Sequence, residues 1–241
     1  MKNTVIFDID GTLLSFDQDE FLKQYFRGVI TKFLPHGYAQ DVILNALYEG
    51  VGAMLKNDGS ITNEQAFWDR FTYFIPVDIY FFEKEFINYY NNEFNLISEI
   101  VEENKYIHKI MKVLKEKGYE LILATNPLFP KVATFNRVKW AKLNWDDFSH
   151  VTTYENSSYS KPNINYYKEV LSIRGKKVEE CIMVGNDVDE DGVVREIGMD
   201  FYLITNNIIN KSNKDINEYK HGTYEDFYKF VEGLEDVKSV K

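Results

Sequence analysis

Two aspartates, Asp8 and Asp10, stand two residues apart in Phe7-Asp8-Ile9-Asp10-Gly11-Thr12, directly after the apolar run Val5-Ile6-Phe7. Carboxylates so placed can divide labour, one attacking phosphorus while the other handles a proton. Gly11 lets the chain turn sharply behind them. The same residues would also suit an acidic turn capping a helix. An EF-hand loop does not fit, because its sixth position is Leu13, where the bend needs glycine.

Three further clusters carry chemistry. Leu121-Ile122-Leu123-Ala124 runs into Thr125-Asn126-Pro127, a hydroxyl and an amide able to bond phosphoryl oxygens, although Thr-Asn-Pro is also ordinary turn chemistry. In Ser160-Lys161-Pro162 a fixed ammonium could offset charge on a nucleophile or a transferring phosphoryl group, with Pro162 as the first residue of a helix. A solvated surface lysine is the competing reading. Val184-Gly185-Asn186-Asp187-Val188-Asp189-Glu190-Asp191-Gly192 is dense in the hard oxygen ligands that suit Mg²⁺. Acidic residues also favour the first turn of a helix, and that reading is kept for Asp189 and Glu190. A second EF-hand imitation fails at its twelfth position, Gly198.

The elements that must position these residues follow from periodicity. Thr4 to Ile9 predicts a buried strand. From about Asp17 to Phe94 four helical segments begin near Asp19, Ala39, Asn63 and Asp78, broken by Pro35-His36-Gly37, Asp58-Gly59-Ser60 and Pro76. After about Asn95 the pattern alternates. Helices are predicted over Asn104–Lys117, Pro130–Leu143, Asn163–Ile173 and Asp189–Ile197, and strands over Tyr119–Ala124, near Val151, Cys181–Val184 and Phe201–Ile204. Alternation of this kind implies an α/β fold with a doubly wound parallel sheet, whose ligands sit beyond the carboxyl ends of the strands. Each cluster lies just after a predicted strand or at a helix start.

The chain has 241 residues, 44% hydrophobic and 27% charged, with a formal charge of −10. That composition belongs to an ordered globular protein. The negative charge disfavours nucleic acid and anionic membranes as partners. A small phosphorylated substrate remains compatible, since a bound divalent cation reverses the local field. Cys181 is the single cysteine, so an intrachain disulfide is excluded and a cytoplasmic setting is expected. Its apolar neighbours predict an inert, buried thiol. The apolar start is too short for a signal peptide, and no run approaches a membrane span.

The order and placement of the four clusters resemble the motifs of the haloacid dehalogenase superfamily, whose core is Rossmann-like and whose members mostly hydrolyse phosphate esters. The resemblance implies a core of residues 1–14 and 97–241 with an α-helical cap, residues 15–96, inserted between the first and second motifs. It implies Asp8 as nucleophile, Asp10 as general acid and base, Thr125 (with Asn126) at the phosphoryl group, and Lys161 balancing charge. It further implies Mg²⁺ held by Asp8, the Asp10 carbonyl and Asp187, with Asp191 ligating or supporting. Asn186 stands where many members place glycine or an acid, which leaves its role open. A carboxylate at position 10 favours phosphate chemistry, because an alkoxide leaving group needs a proton and a halide does not.

About half of the aromatic residues fall in the insertion at helical spacing, which predicts that they form its own core. The sequence leaves the substrate, the cap residues that touch it and the oligomeric state open. A phosphotransferase or mutase would use the same residues. A phosphoaspartate receiver domain fits less well, since it expects its aspartate on a middle strand and no large helical insertion.

Overall fold

Six short strands, β1 (Thr4–Phe7), β2 (Glu120–Leu123), β3 (His150–Val151), β4 (Cys181–Gly185), β5 (Asp200–Ile204) and β6 (Lys220–Gly222), make one sheet in the order β3-β2-β1-β4-β5-β6. All neighbours are parallel. The computed structural model describes residues 1–75 and 79–237. Because side chains alternate across a strand, Val5 and Phe7 enter one apolar cluster and Ile6 the other. Helices α5 (Lys105–Lys117), α6 (Lys131–Trp140) and α8 (Tyr224–Glu232) cover the first face, and α7 (Ile164–Arg174) covers the second. Burial on both faces explains why the strands read as unbroken apolar runs.

Local chemistry sets the helix ends. In α5 the Asn104 side chain accepts from the Tyr106 N–H, Ile107, Ile110, Met111 and Leu114 form the buried stripe, and Gly118 closes the helix at φ 84°.

Between β1 and β2 the chain inserts α1 (Gln18–Phe33), α2 (Gln40–Leu55), α3 (Asn63–Phe74) and α4 (Ile79–Asn91). Asp17 and Thr62 cap α1 and α3 through their side-chain oxygens. The predicted break at Pro76 and helix start at Asp78 lie outside the described residues. Most of the insertion's aromatics are buried, but they do not form a separate core: one apolar cluster runs from Phe33, Phe71 and Phe82 through Phe94 to the sheet.

Two further expectations are corrected. Instead of a helix over Asp189–Ile197 there are turns and then a 3-10 segment, Gly192–Ile197, because Asp187 and Asp191 wind the loop around their own side chains. Pro162 does not open a helix; it follows a cis bond in a turn, and Asn163 caps α7. Strand β6 was not foreseen, since Lys-His-Gly at an exposed edge carries no apolar run.

The insertion is also fastened to the core by Asn63, which is fully buried. Its amide nitrogen donates to Ser160 Oγ at 3.1 Å, Tyr159 O at 3.2 Å and Pro127 O at 3.3 Å, and its oxygen accepts from Asn57 at 2.9 Å. Replacing it by leucine strands those groups without water. Asn63→Leu is expected to cost about 2–4 kcal/mol of stability, read as a lower denaturant midpoint; an unchanged midpoint would show that the fastening carries no load.

Candidate active site

The carboxyl ends of β1, β2 and β4 converge on a cleft of about 200 Å³ bordered by Asp8, Asp10, Thr125, Asn126, Asp187, Glu190 and Asp191. Asp8 still donates its main-chain N–H to Val184 O, which fixes it between β1 and β4. The next turn is tight: the N–H groups of Thr12, Leu13 and Leu14 all point to Ile9 O. Gly11 has φ 85°, and a Cβ there would lie 2.3 Å from Asn186 Nδ2, so conformation and space both require glycine.

Lys161 is the centre of the site. Its side chain is 1% exposed, and Nζ lies 2.8 Å from Asp8 Oδ1 and 2.6 Å from Asp191 Oδ1. Burial alone would push the ammonium's pKa down, but Asp191 and Asp8 override this and hold it well above its ordinary value. Asp191 is pushed up to about 7 by burial, against the pull of Lys161. Its other oxygen accepts from the Asp187 N–H at 3.1 Å, so both its oxygens are engaged. A Cβ on Gly185 would meet that carboxylate at 2.0 Å, which explains the glycine at the end of β4.

The remaining residues divide into struts and open groups. Asn126 accepts from the Lys161 N–H at 3.2 Å and donates to Glu190 at 3.1 Å, tying three loops together. Asn186 is buried, with both amide atoms committed, one to Thr12 Oγ1 at 2.9 Å and one to Asn207 O at 2.7 Å. It therefore braces the loops. Asp187 uses one oxygen to accept from the N–H groups of Asp189 and Glu190, both at 2.8 Å. The Thr125 hydroxyl has no partner among the described residues, while its carbonyl accepts from Thr152 and Tyr166.

Sequence reasoning missed Arg137. This α6 residue is 1% exposed and bonds the Asp10 carboxylate through Nη1 and Thr134 through Nη2, with its guanidinium 4.6 Å from the Phe129 ring centroid. The available clue was a charge one helical turn from Ala133, on the apolar face of the predicted helix. Asp10 Oδ1 is buried without a hydrogen-bond partner among the described residues, and burial, only partly opposed by Arg137, raises this carboxyl above its ordinary range. Glu190, read as a helix-start residue, borders the cleft and is raised by burial. Chemically, the arrangement offers one carboxylate beside a fixed cation and a second beside an arginine, both facing one cleft.

Known proteins share this fold. The family model described as haloacid dehalogenase-like hydrolase matches residues 5–204. Pyrophosphatase PpaX of Bacillus cereus strain AH820 is 25% identical over 185 residues, covering 77% of this chain and 74% of that one. A HAD phosphatase from Thermococcus onnurineus superposes with a TM-score of 0.64 at 21% identity, over 98% of this chain and all of the other. The HAD-hydrolase YfnB from Bacillus subtilis, bound to magnesium, gives 0.56 at 16% identity over 96% of this chain and all of its own. With four-fifths of its length matched by the family model and the fold shared throughout, the chain belongs to the haloacid dehalogenase-like hydrolases.

Proposed function

We propose that the protein is a Mg²⁺-dependent phosphomonoester hydrolase in which Asp8 attacks phosphorus and carries the phosphoryl group as an aspartyl phosphate. The observation that carries this reading is the Lys161 ammonium, buried and 2.8 Å from Asp8. It orients the Asp8 carboxylate, and a fixed cation beside the transferring group offsets the charge that spreads over its oxygens. The unpartnered Thr125 hydroxyl is available to one of those oxygens. Asp10, held by Arg137, is the second carboxyl at the cleft. It gives a proton to the leaving oxygen and later takes one from the water that cleaves the acyl phosphate.

The donor set fits Mg²⁺. Asp8, Asp10, Asp187, Glu190 and Asp191 border the cleft against Arg137 and Lys211, with Lys161 buried behind it, so carboxylates outnumber cations. Among the described residues no three His, Cys, Asp or Glu side chains form a metal cluster. The donors would be the second oxygens of Asp8 and Asp187 with the Asp10 main-chain carbonyl, which the turn's own hydrogen bonds leave unused. Asp191, with both oxygens engaged, would support them from behind. A bound Mg²⁺ supplies a Lewis acid for a phosphoryl oxygen and lets an anionic substrate enter an acidic cleft.

The Bacillus relatives are named for pyrophosphate. A monoester is favoured here because the space beside the cleft is a large, mostly apolar chamber, which offers a second phosphate little to bind.

Two outcomes test the reading. Chelation should abolish phosphate release, and Asp187→Asn should raise the Mg²⁺ needed for half-maximal rate by at least the roughly 10–100-fold that loss of even an outer partner costs; full activity in excess chelator rules the metal role out. Asp10→Asn should slow alkyl phosphates by about 10²–10⁴-fold and aryl phosphates, whose leaving groups are stable anions, much less. With an activated aryl phosphate the mutant should release phenol in a burst and retain phosphoryl mass on the protein. Equal slowing of both classes without a phosphoprotein would point to direct attack by water.

A further inference from the structure

The chamber beside the cleft has a volume of about 800 Å³, enough for a drug-sized molecule, and is closed by all four inserted helices on one side and the segments after β2 and β3 on the other. Leu22, Leu128 and Phe129 line both the chamber and the cleft, so the two spaces share a wall. At its mouth Leu22, Tyr48, Ile87 and Phe135 are all exposed. Large apolar side chains left in water around one concavity mark a surface that something covers.

The walls combine two features. Tyr25, Tyr48, Phe67, Trp68, Phe86 and Tyr90 present aromatic surface, and Glu64, Glu83 and Glu155 place three carboxylates among them. None of the three is in an ion pair among the described residues. Glu155 accepts the Lys131 N–H; Lys131 is the one basic residue lining the chamber, and its ammonium lies 5.9 Å from the Trp145 ring centroid and in no ion pair with these glutamates among the described residues. Burial, followed by Glu155 and Glu83, raises the Glu64 carboxyl, as expected of like charges without a counter-charge. The indole N–H of Trp68 is buried beside the Tyr154 hydroxyl. Aromatic faces and carboxylates both attract cations, and the faces accept apolar bulk as well.

We propose that this chamber holds the leaving group of the ester cleaved at Asp8, and that this group is an apolar alcohol carrying a positive charge. The assignment rests on the phosphomonoesterase reading above. A neutral apolar group would leave three carboxylates facing it without compensation, and an anionic one would be repelled. A protein segment is a weaker match for a concave space that shares Leu22, Leu128 and Phe129 with the cleft.

The test uses two esters of equal shape that differ by one charge, 4-(trimethylammonio)benzyl phosphate and 4-tert-butylbenzyl phosphate, with calorimetric titration of the two parent alcohols. The cationic ester should be preferred in kcat/KM by at least about tenfold, and the cationic alcohol should bind more tightly by a similar factor. In Glu64→Gln/Glu83→Gln both ratios should fall towards one. Ratios within one variant are insensitive to any shared loss of folded protein. Equal or reversed preference in the unmodified protein overturns the proposal, as does a preference that the double variant retains. If the cationic alcohol binds more tightly but neither ester is cleaved with Mg²⁺ present, the chamber's charge preference stands and the phosphatase reading fails.

Discussion

An ammonium group with almost no access to water is stable only where carboxylates surround it, and Lys161 imposes that condition on the whole core. Taking such a charge from water costs several kcal/mol, so removing either partner leaves it with a single carboxylate. Its partners come from distant parts of the chain: Asp8 follows β1 and Asp191 follows β4, while Lys161 itself precedes α7. They meet because β1 lies between β2 and β4, at the point where strand order reverses. Several small features serve this meeting. Gly185 has no side chain because the Asp191 carboxylate occupies that space, and Asn126 holds the Lys161 main chain against Glu190.

The same logic extends outward to Asp10 and Arg137. One helix after β2 supplies an arginine that has no other acidic partner among the described residues, and its ring contact with Phe129 places that aromatic between cleft and chamber. The insertion is joined to the core at several points, by Asn63 and by continuous aromatic packing. Tyr25 lies 5.3 Å from Phe129 and its hydroxyl is 2.9 Å from that of Tyr90. The cleft and the chamber thus share a wall.

How much of this was legible in the sequence depended on the range of the interactions involved. Strands buried on both faces leave apolar runs, and helices ended by Asn104 and Gly118 carry their own punctuation, so the sheet and most helices could be read locally. The four clusters could be read because three sit where a strand ends and the fourth, at Lys161, lies just before α7. Arg137 could not, since a buried arginine is defined by a carboxylate 127 residues away. The turn after Asp187 was misread because side-chain oxygens there take N–H groups that a helix would otherwise order. The role of Asn186 stayed open until its two amide partners, Thr12 and Asn207, were placed. The chamber was hidden for another reason: helical spacing identifies aromatics that pack together, not those that leave a space between them.

The central claim is that Asp8, set against Lys161, receives a phosphoryl group. Trifluoroberyllate, which mimics a phosphoryl group on an aspartate, probes it without turnover. In ¹⁹F NMR of the protein with beryllium, fluoride and Mg²⁺, bound resonances are expected that vanish on chelation and are missing in Asp8→Asn. Bound resonances that persist in Asp8→Asn, or none in the unmodified protein, would contradict the assignment of Asp8 as the acceptor.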